Sequence, residues 1–501
     1  MTISSVGNRS GQLIQSLVDM RSRLDDLQRQ LGTGKKSSTY SGLGLDRSLT
    51  IGLRSQLSAL KSFDDSITNV GVRLNLAQTA LMQVDKSRIA VKSAVMKSTY
   101  AIDDSGQTAD QKAAFQHLDL MLGALNTQAG DRYLFSGAAV DKPAVENTDH
   151  IINGDGTRAG LRQIIDERRQ ADLGASGLGR VVIAAPTLTS VSVTEDSATS
   201  PFGFKLDTIA TNLTGATLTG PVGAPAAMSV DLGAVNPNAG ETVTFSFTLP
   251  DGSEENLTLT ATDSLTPGPN EFTIGATSDV TATNLQAKLT TALGTLARTA
   301  LTAASATAAG NDFFNVDAAN PPQRVAGPPF NTATALVDGT STDTVNWYIG
   351  EAGTAQARST ANARVDPAIS VSYGMRANEQ GLRTALQNVA VFAATSFSAS
   401  DPNGAASYDA LKSRVGTGLA GAQGQQKISD IESEIAGAQT TLASTKDRHV
   451  QTNATLGDLL QQIEGIPTEQ VAAQILSLQT TLQASLQTTA MLYQMSILNY
   501  L

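Results

Sequence analysis

The sequence predicts an α+β fold: long antiparallel, coiled-coil-like helices from both termini, a short β-hairpin region and a β-rich central outer insert. Three observations carry that prediction. Apolar residues near both ends recur at alternating three- and four-residue spacing, the interval averaging about 3.5 that keeps one stripe against a partner helix. From 186 to 343 the composition changes to Thr, Ala, Gly, Val and Pro, with period-two alternation in places. Aromatics make up only 4% of 501 residues, which suits seams of Leu, Ile, Val and Ala and argues against thick aromatic cores.

The first division, 1–45, holds an amino-terminal assembly helix over 12–31 and a loop. Its stripe is Leu13, Leu17, Met20, Leu24, Leu27 and Leu31, and Gly32-Thr33-Gly34-Lys35-Lys36 supplies a glycine stop with basic residues at the dipole's negative end. The second, 46–185, opens with a helix predicted to about residue 100. Leu49, Leu53, Leu60, Phe63, Ile67, Val70, Leu74, Ala77, Leu81 and Val84 continue the pattern over a span of roughly 80 Å at about 1.5 Å per residue. Thr108 and Gln111 form a capping box for a third helix, Arg132 to Gly137 switches to strand character, and Asn153-Gly154-Asp155-Gly156 reads as a hairpin tip. In the variable insert, 186–343, residues 242–249 and 256–260 alternate about Pro250-Asp251-Gly252-Ser253, the clearest hairpin in the chain, and 283–300 is periodic enough for a helix. The fourth division, 344–424, returns to the rod with strands at 345–349 and 369–373, a helix at 379–395 and a glycine-rich joint at 416–424. The fifth, 425–501, is the carboxyl-terminal rod and assembly segment: a helix to 466, a break at Pro467 and a last helix from 469. Ile428, Ile431, Ile435, Ala438, Leu442, Leu456, Leu459, Ile463 and Ile466 make its stripe, with polar Thr445, His449 and Thr452 at intervening seam positions.

Charge divides the chain as sharply as hydropathy does. The net charge is −11, yet 191–345 alone holds 15 acidic and 4 basic residues, so acidic and basic residues balance elsewhere. An acidic middle argues against nucleic acid, which needs a basic stripe, and against anionic membranes. No run of about 18 apolar residues predicts a membrane span, and the first ten residues lack the pattern of a cleaved export signal. With no cysteine, neither a disulfide nor a thiolate metal site is possible.

Catalytic chemistry finds no foothold, so we expect a protein that is not an enzyme and that needs no cofactor or metal. His117, His150 and His449 stand apart from one another, without metal spacing or a carboxylate cluster; His449 reads as a polar register-setting residue. A calcium loop at 153–156 lacks its remaining ligands. Gly174-Ala175-Ser176-Gly177-Leu178-Gly179 lacks the βαβ unit of a dinucleotide site, and Gly34-Lys35 lacks a phosphate cradle. Adjacent carboxylates at Asp25-Asp26, Asp64-Asp65, Asp103-Asp104 and Glu254-Glu255 diverge on a helix or strand and read as solubilising charge. The stripes therefore carry the functional expectation. Packing of the end helices on each other alone is one arrangement; assembly between chains is favoured by the uncharged face of Gln479, Thr480, Thr481, Gln483, Gln487, Thr488 and Thr489.

Those segments resemble the bacterial flagellin family and its hook-filament junction relatives. Residues 28–36, ending Gln30-Leu31-Gly32-Thr33-Gly34-Lys35-Lys36, are similar to the element that ends the family's first helix, and Ser496-Ile497-Leu498-Asn499-Tyr500-Leu501 to its apolar ending. Arg132-Tyr133-Leu134-Phe135-Ser136-Gly137 is similar to a motif of the junction proteins, with Tyr133, Leu134, Phe135, Ser136 and Gly137 its most specific part. Where flagellins carry a DDAAGLAI-like stretch, this chain has Tyr40-Ser41-Gly42-Leu43-Gly44-Leu45-Asp46-Arg47, which favours the junction branch; the large insert resembles the outer domains of filament flagellins. The resemblance covers about 1–180 and 345–501. It implies a secreted, extracellular structural subunit of the bacterial flagellum, carried by type III export, with an export chaperone, other copies of itself, hook-associated protein and flagellin as partners. The assembly interface would use Leu13, Leu17, Met20, Leu24, Leu27, Leu31, Leu478, Leu482, Leu486, Ile497 and Leu501. A filament flagellin is the alternative, and a filamentous surface adhesin a remoter one.

Overall fold

The computed structural model describes residues 3–316 and 321–498. It is 53% helix and 16% strand, a mixed α+β fold of long helices and small, mainly antiparallel sheets. Helix α1 (Ile3–Thr33) is followed by a tight turn at Tyr40–Asp46, and α2 (Arg47–Lys97) carries the longest stripe. Leu53, Ile67, Val70, Leu74, Ala77, Leu81 and Val84 are buried along it as their spacing predicts, while Leu49 is 53% exposed. The predicted capping box opens α3 (Ala109–Leu125): the Gln111 N–H donates to Thr108 Oγ1 at 3.2 Å and the Thr108 N–H to Gln111 Oε1 at 3.0 Å. Two otherwise orphaned amides at the helix start are thereby satisfied.

Strands β1 (Gln128–Ala129) and β2 (Arg132–Tyr133) form a minimal antiparallel pair before α4 (Thr148–Asn153) and α5 (Leu161–Leu173). Two expectations are corrected here. Strand character at 132–137 lasts two residues, and 153–156 is a helix end instead of a hairpin tip. The Gly154 N–H donates to His150 O at 2.9 Å, and Asp155 Oδ1 accepts the N–H groups of Thr157 at 3.1 Å and Arg158 at 2.7 Å. Turn-forming residues serve either ending, and the flanking segments' partners choose between them.

The insert contributes β3 (Val181–Ala184), β4 (Ser190–Glu195), β5 (Lys205–Thr211), β6 (Thr217–Val222), β7 (Ala227–Asp231), β8 (Thr242–Thr248), β9 (Glu254–Thr262) and β10 (Glu271–Thr273). They form two four-stranded sheets, ordered β3-β4-β7-β6 and β10-β9-β8-β5, with β10 parallel to β9 at one edge. The predicted hairpin is β8–β9, pairing Val243 with Leu259 and Phe245 with Leu257. Alternation sends Val243, Phe245 and Phe247 inward, while the Thr244 and Thr258 hydroxyls meet at 2.9 Å on the other face. Helix α6 (Ser278–Leu296) covers this core with Leu285, Leu289 and Leu293, then passes through a π-helical turn, Ala297–Leu301, into α7 (Thr302–Phe314).

Strands β11 (Gln323–Val325) and β12 (Leu336–Asp338) pair, as do β13 (Asn362–Asp366) and β14 (Ile369–Ser372); helices α8 (Gln380–Ala394), α9 (Gly404–Ala420), α10 (Ile428–Glu464) and α11 (Thr468–Leu498) follow. The strand expected at 345–349 reduces to one bridge between Val145 and Tyr348. Of the joint expected at 416–424, residues 416–420 complete α9. Aromatic packing is also richer than 4% suggested, because the few rings are pooled. Trp347 lies 5.2 Å from Phe314 and 5.9 Å from Tyr348, while Tyr408 contacts Tyr100, Phe392 and Phe397. Such pairs add about 0.5–1.5 kcal/mol beyond area burial.

Two compact units result. The first comprises 1–69, 364–371 and 440–501, and the second 70–363 and 372–439, so the insert falls within the second. Formal charge follows the division: 12 basic and 11 acidic residues in the first, 23 and 35 in the second.

Candidate assembly surface

The first unit is closed by its turns. Gly34 ends α1 with φ +64, the left-handed value a glycine accepts, and its N–H donates to Gln30 O at 2.8 Å. Lys36 N–H then donates to Glu464 O at 2.7 Å, and Ile466 N–H to Gly34 O at 3.0 Å, so the loop after α1 is tied to the turn between α10 and α11. Glu464, 8% exposed at its side chain, receives Arg54 Nε at 2.8 Å and Arg54 Nη2 at 2.7 Å, with Lys35 at 3.5 Å. The Arg54 guanidinium holds the Glu464 carboxyl below the usual carboxylate range.

From that closure α1 packs against α11. Leu27, Val471 and Ile475 are buried together, flanked by Leu24, Ile466 and Leu478. Leu13, Leu17, Met20, Leu24, Leu478 and Leu482 are half-buried, Leu31 is 40% exposed and Leu486 is 50% exposed. Ile497 belongs to α11, with its side chain outside what is described, and Leu501 lies outside the described residues. The spacing thus found a real seam, and its first occupant is the chain's own other end.

His449 corrects the expectation that no carboxylate cluster surrounds it. It is buried, with Nδ1 2.6 Å from Asp64 Oδ1 and Nε2 3.4 Å from Asp366 Oδ2, so a carboxylate lies on each side of the ring. Arg448 holds Asp366 at 2.9 Å, and the Ala368 N–H, followed by Arg448, lowers the Asp366 pKa. Asp64 is therefore a pairing residue and not only a solubilising charge. The contacts Arg54 to Glu464 and Asp64 to His449 show α2 and α10 running antiparallel in this unit, with His449 at the seam position read from the sequence. Sequence reasoning missed the cluster because Asp64 lies 385 residues before His449, and nothing local joins either to Asp366.

Tyr133, Leu134, Phe135, Ser136 and Gly137 belong to the second unit. Leu134, Phe135, Ser136 and Gly137 are buried and Tyr133 half-buried. Ala377 N–H donates to Phe135 O at 2.9 Å, Glu351 N–H to Ser136 O at 2.9 Å and Gly137 N–H to Met375 O at 3.0 Å. Gly137 has φ +67, and a Cβ there would collide with the Glu351 carboxylate, which accounts for glycine physically. The motif is thus a structural knot between 133–137 and the returning chain.

The first unit also leaves apolar residues uncovered. Ile14 and Val18, one turn apart on α1, are 52% and 57% exposed; on α11, Leu476 is 65% and Met491 62% exposed. Leu45, Leu49, Ile51, Val450 and Leu459 are exposed in the same unit. No Asp, Glu, Lys, Arg or His follows Glu469, so most of α11 presents only amide, hydroxyl and apolar groups. Thr480 and Thr481 spend their hydroxyls on carbonyls four residues back, at 2.8 Å each. Among the described residues no group of three or more His, Cys, Asp and Glu could hold a metal ion, and no helix is long and apolar enough to cross a membrane. No family model matches the chain, and no curated protein matches its sequence.

Proposed function

We propose that this chain is a self-assembling structural subunit of the bacterial flagellum, seated at the hook-filament junction, with α1 and α11 forming the contacts between copies. One observation carries the reading: the paired end helices keep apolar residues in solvent, Ile14 and Val18 on α1 with Leu476, Leu486 and Met491 on α11, on a unit whose charges nearly cancel. Neighbouring copies are the occupant this arrangement favours, because a near-neutral helix pair stacks on itself without like-charge repulsion, while the acidic second unit would repel its equivalents and keep that part of the chain apart. Packing between copies would then bury these exposed residues. The resemblance of residues 28–36, Arg132 to Gly137 and the apolar ending to flagellins and their junction relatives supplies the flagellar setting. It also supplies type III export, an export chaperone, and hook-associated protein and flagellin as neighbours outside the cell.

Removing 480–501 tests the reading: incorporation into flagella should be lost while the second unit keeps its cooperative unfolding. Normal incorporation of the truncated chain would overturn it. Labelled antibody viewed by electron microscopy separates the two flagellar positions. A single band beside the hook marks the junction, and decoration along the filament marks the alternative, a filament flagellin, which the size of the insert favours.

A further inference from the structure

The three separate stretches that make up the first unit, 1–69, 364–371 and 440–501, meet at one side chain. His449, on α10, is 2% exposed at its side chain. Its Nδ1 stands 2.6 Å from Asp64 of α2, and its Nε2 stands 3.4 Å from Asp366, the last residue of β13. Each stretch therefore contributes one member of the cluster.

The charged groups at the ring are Asp64 from α2, Asp366 from the β13–β14 hairpin and Arg448 from α10, which is bonded to Asp366 at 2.9 Å. The other charged residues close by in sequence, Lys61 and Asp65 on α2, Arg364 on β13 and Lys446 and Asp447 on α10, are exposed. Asp366 stays ionised, because the Ala368 N–H at 3.1 Å and Arg448 both favour its charged form. The Phe63 ring lies 6.4 Å from the imidazole, and Nε2 is buried with no hydrogen-bond partner among the described residues.

A neutral imidazole has one N–H and one lone pair, whereas an imidazolium donates from both nitrogens. With its single proton on Nδ1, facing Asp64, a neutral His449 would turn a lone pair toward the Asp366 carboxylate. With that proton on Nε2, the lone pair would face Asp64 at 2.6 Å, which is worse. Burial weakens the screening of either repulsion. Only the doubly protonated ring gives each carboxylate a donor, and the longer contact marks the Nε2 proton as the one lost first.

We propose that His449 is a proton-dependent pin of the first unit: its ring holds both protons while the unit is closed, and loss of the Nε2 proton as pH rises frees residues 364–371 from α10. Asp64 keeps α2 attached through Nδ1. The unfolded chain holds the second proton only below about pH 6.5. The pin's stabilisation is therefore full below that value and is lost as pH rises beyond it, when the folded ring gives up its proton. It concerns the closure of the unit itself and does not rest on the flagellar reading.

Nitrogen NMR on the full chain carrying isotope-labelled histidine tests the pin at about pH 7.5, roughly one unit above the ordinary histidine value. The His449 signals, assigned by their loss in His449→Gln, should report two protonated ring nitrogens. Should that variant unfold the unit, His117→Gln and His150→Gln assign the remaining signals by elimination. One bare ring nitrogen at that pH would overturn the proposal. Hydrogen exchange reads the consequence: between about pH 6 and 9, protection of 364–371, corrected for the intrinsic rate, should fall at least about tenfold, and that of α2 beside Asp64 by less. In Asp366→Asn, whose amide can donate to a bare Nε2, the fall should vanish with the hairpin still paired. An undiminished fall in that variant, or none in the wild type, would equally overturn the pin.

Discussion

Leu27 and Trp347 are both buried, but by different means. Leu27 meets Val471 and Ile475 along a single line of contact between two helices, and other apolar residues of those helices, Ile14, Val18 and Leu476 among them, stay in solvent. Trp347 is enclosed by Phe314 and Tyr348, and its Nε1–H donates to Phe314 O at 2.9 Å, so no side of the ring is left over. A pair of helices covers only one face of each member, whereas sheets and helices stacked in layers close on themselves. The difference teaches that the second unit contains its own reason to fold, while the end helices keep apolar surface in solvent.

The comparison is most exposed to Trp347→Ala. That change should cost the second unit about 4 kcal/mol in denaturant unfolding, and a loss under about 1 kcal/mol would break the picture of an enclosed ring. Leu27→Ala should cost about 2 to 3 kcal/mol, seen as helical signal melting ahead of the main transition, because a seam open on one side relaxes more readily than a closed core. If both variants moved one common transition equally, the two regions would not differ as described.

A pH scan sharpens the second unit's side of the comparison. Arg168 joins Asp172 at 3.0 Å to Asp312 at 2.9 Å, and burial raises the Asp312 pKa from 3.8 to about 6. Between those values the folded chain keeps a proton that the unfolded chain has released. Stability from this group is therefore full below the lower value, falls as pH rises to the upper one and is level above it, by about 3 kcal/mol in all. Asp172, fully buried, is pushed the same way by burial and held back by Arg168. Asp312→Asn should flatten the slope between about pH 4 and 6 in thermal melts; an unchanged slope would assign it to Asp172. The smallest effect on folding is expected at Leu486, 50% exposed: Leu486→Ser should leave stability within about 0.5 kcal/mol yet reduce assembly measured by sedimentation. Full assembly by that variant would remove Leu486 from the proposed surface.

Local features were legible because their causes are local. The Thr108 capping box, the Gly34 stop, the β8–β9 hairpin and the break at Pro467 depend on a few neighbouring residues, and the structure has all four. The errors at 153–156 and 345–349 arose where the same residue types suit two backbone solutions. His449 was legible as a seam residue but not as a partner of Asp64 and Asp366, because Asp64 lies 385 residues before it and only the tertiary structure brings them together.

By itself the sequence determined the helical seams, the alternating insert strands, the separation of neutral ends from an acidic middle, and the lack of charge beyond Glu469, since periodicity and charge are properties of neighbouring residues. Only the tertiary structure decided which apolar residues face the chain's own other end and which are left uncovered, and how a few scattered rings become a core. Those outcomes depend on which distant segments share space, and burial and pairing free energies act across space whatever the separation along the chain.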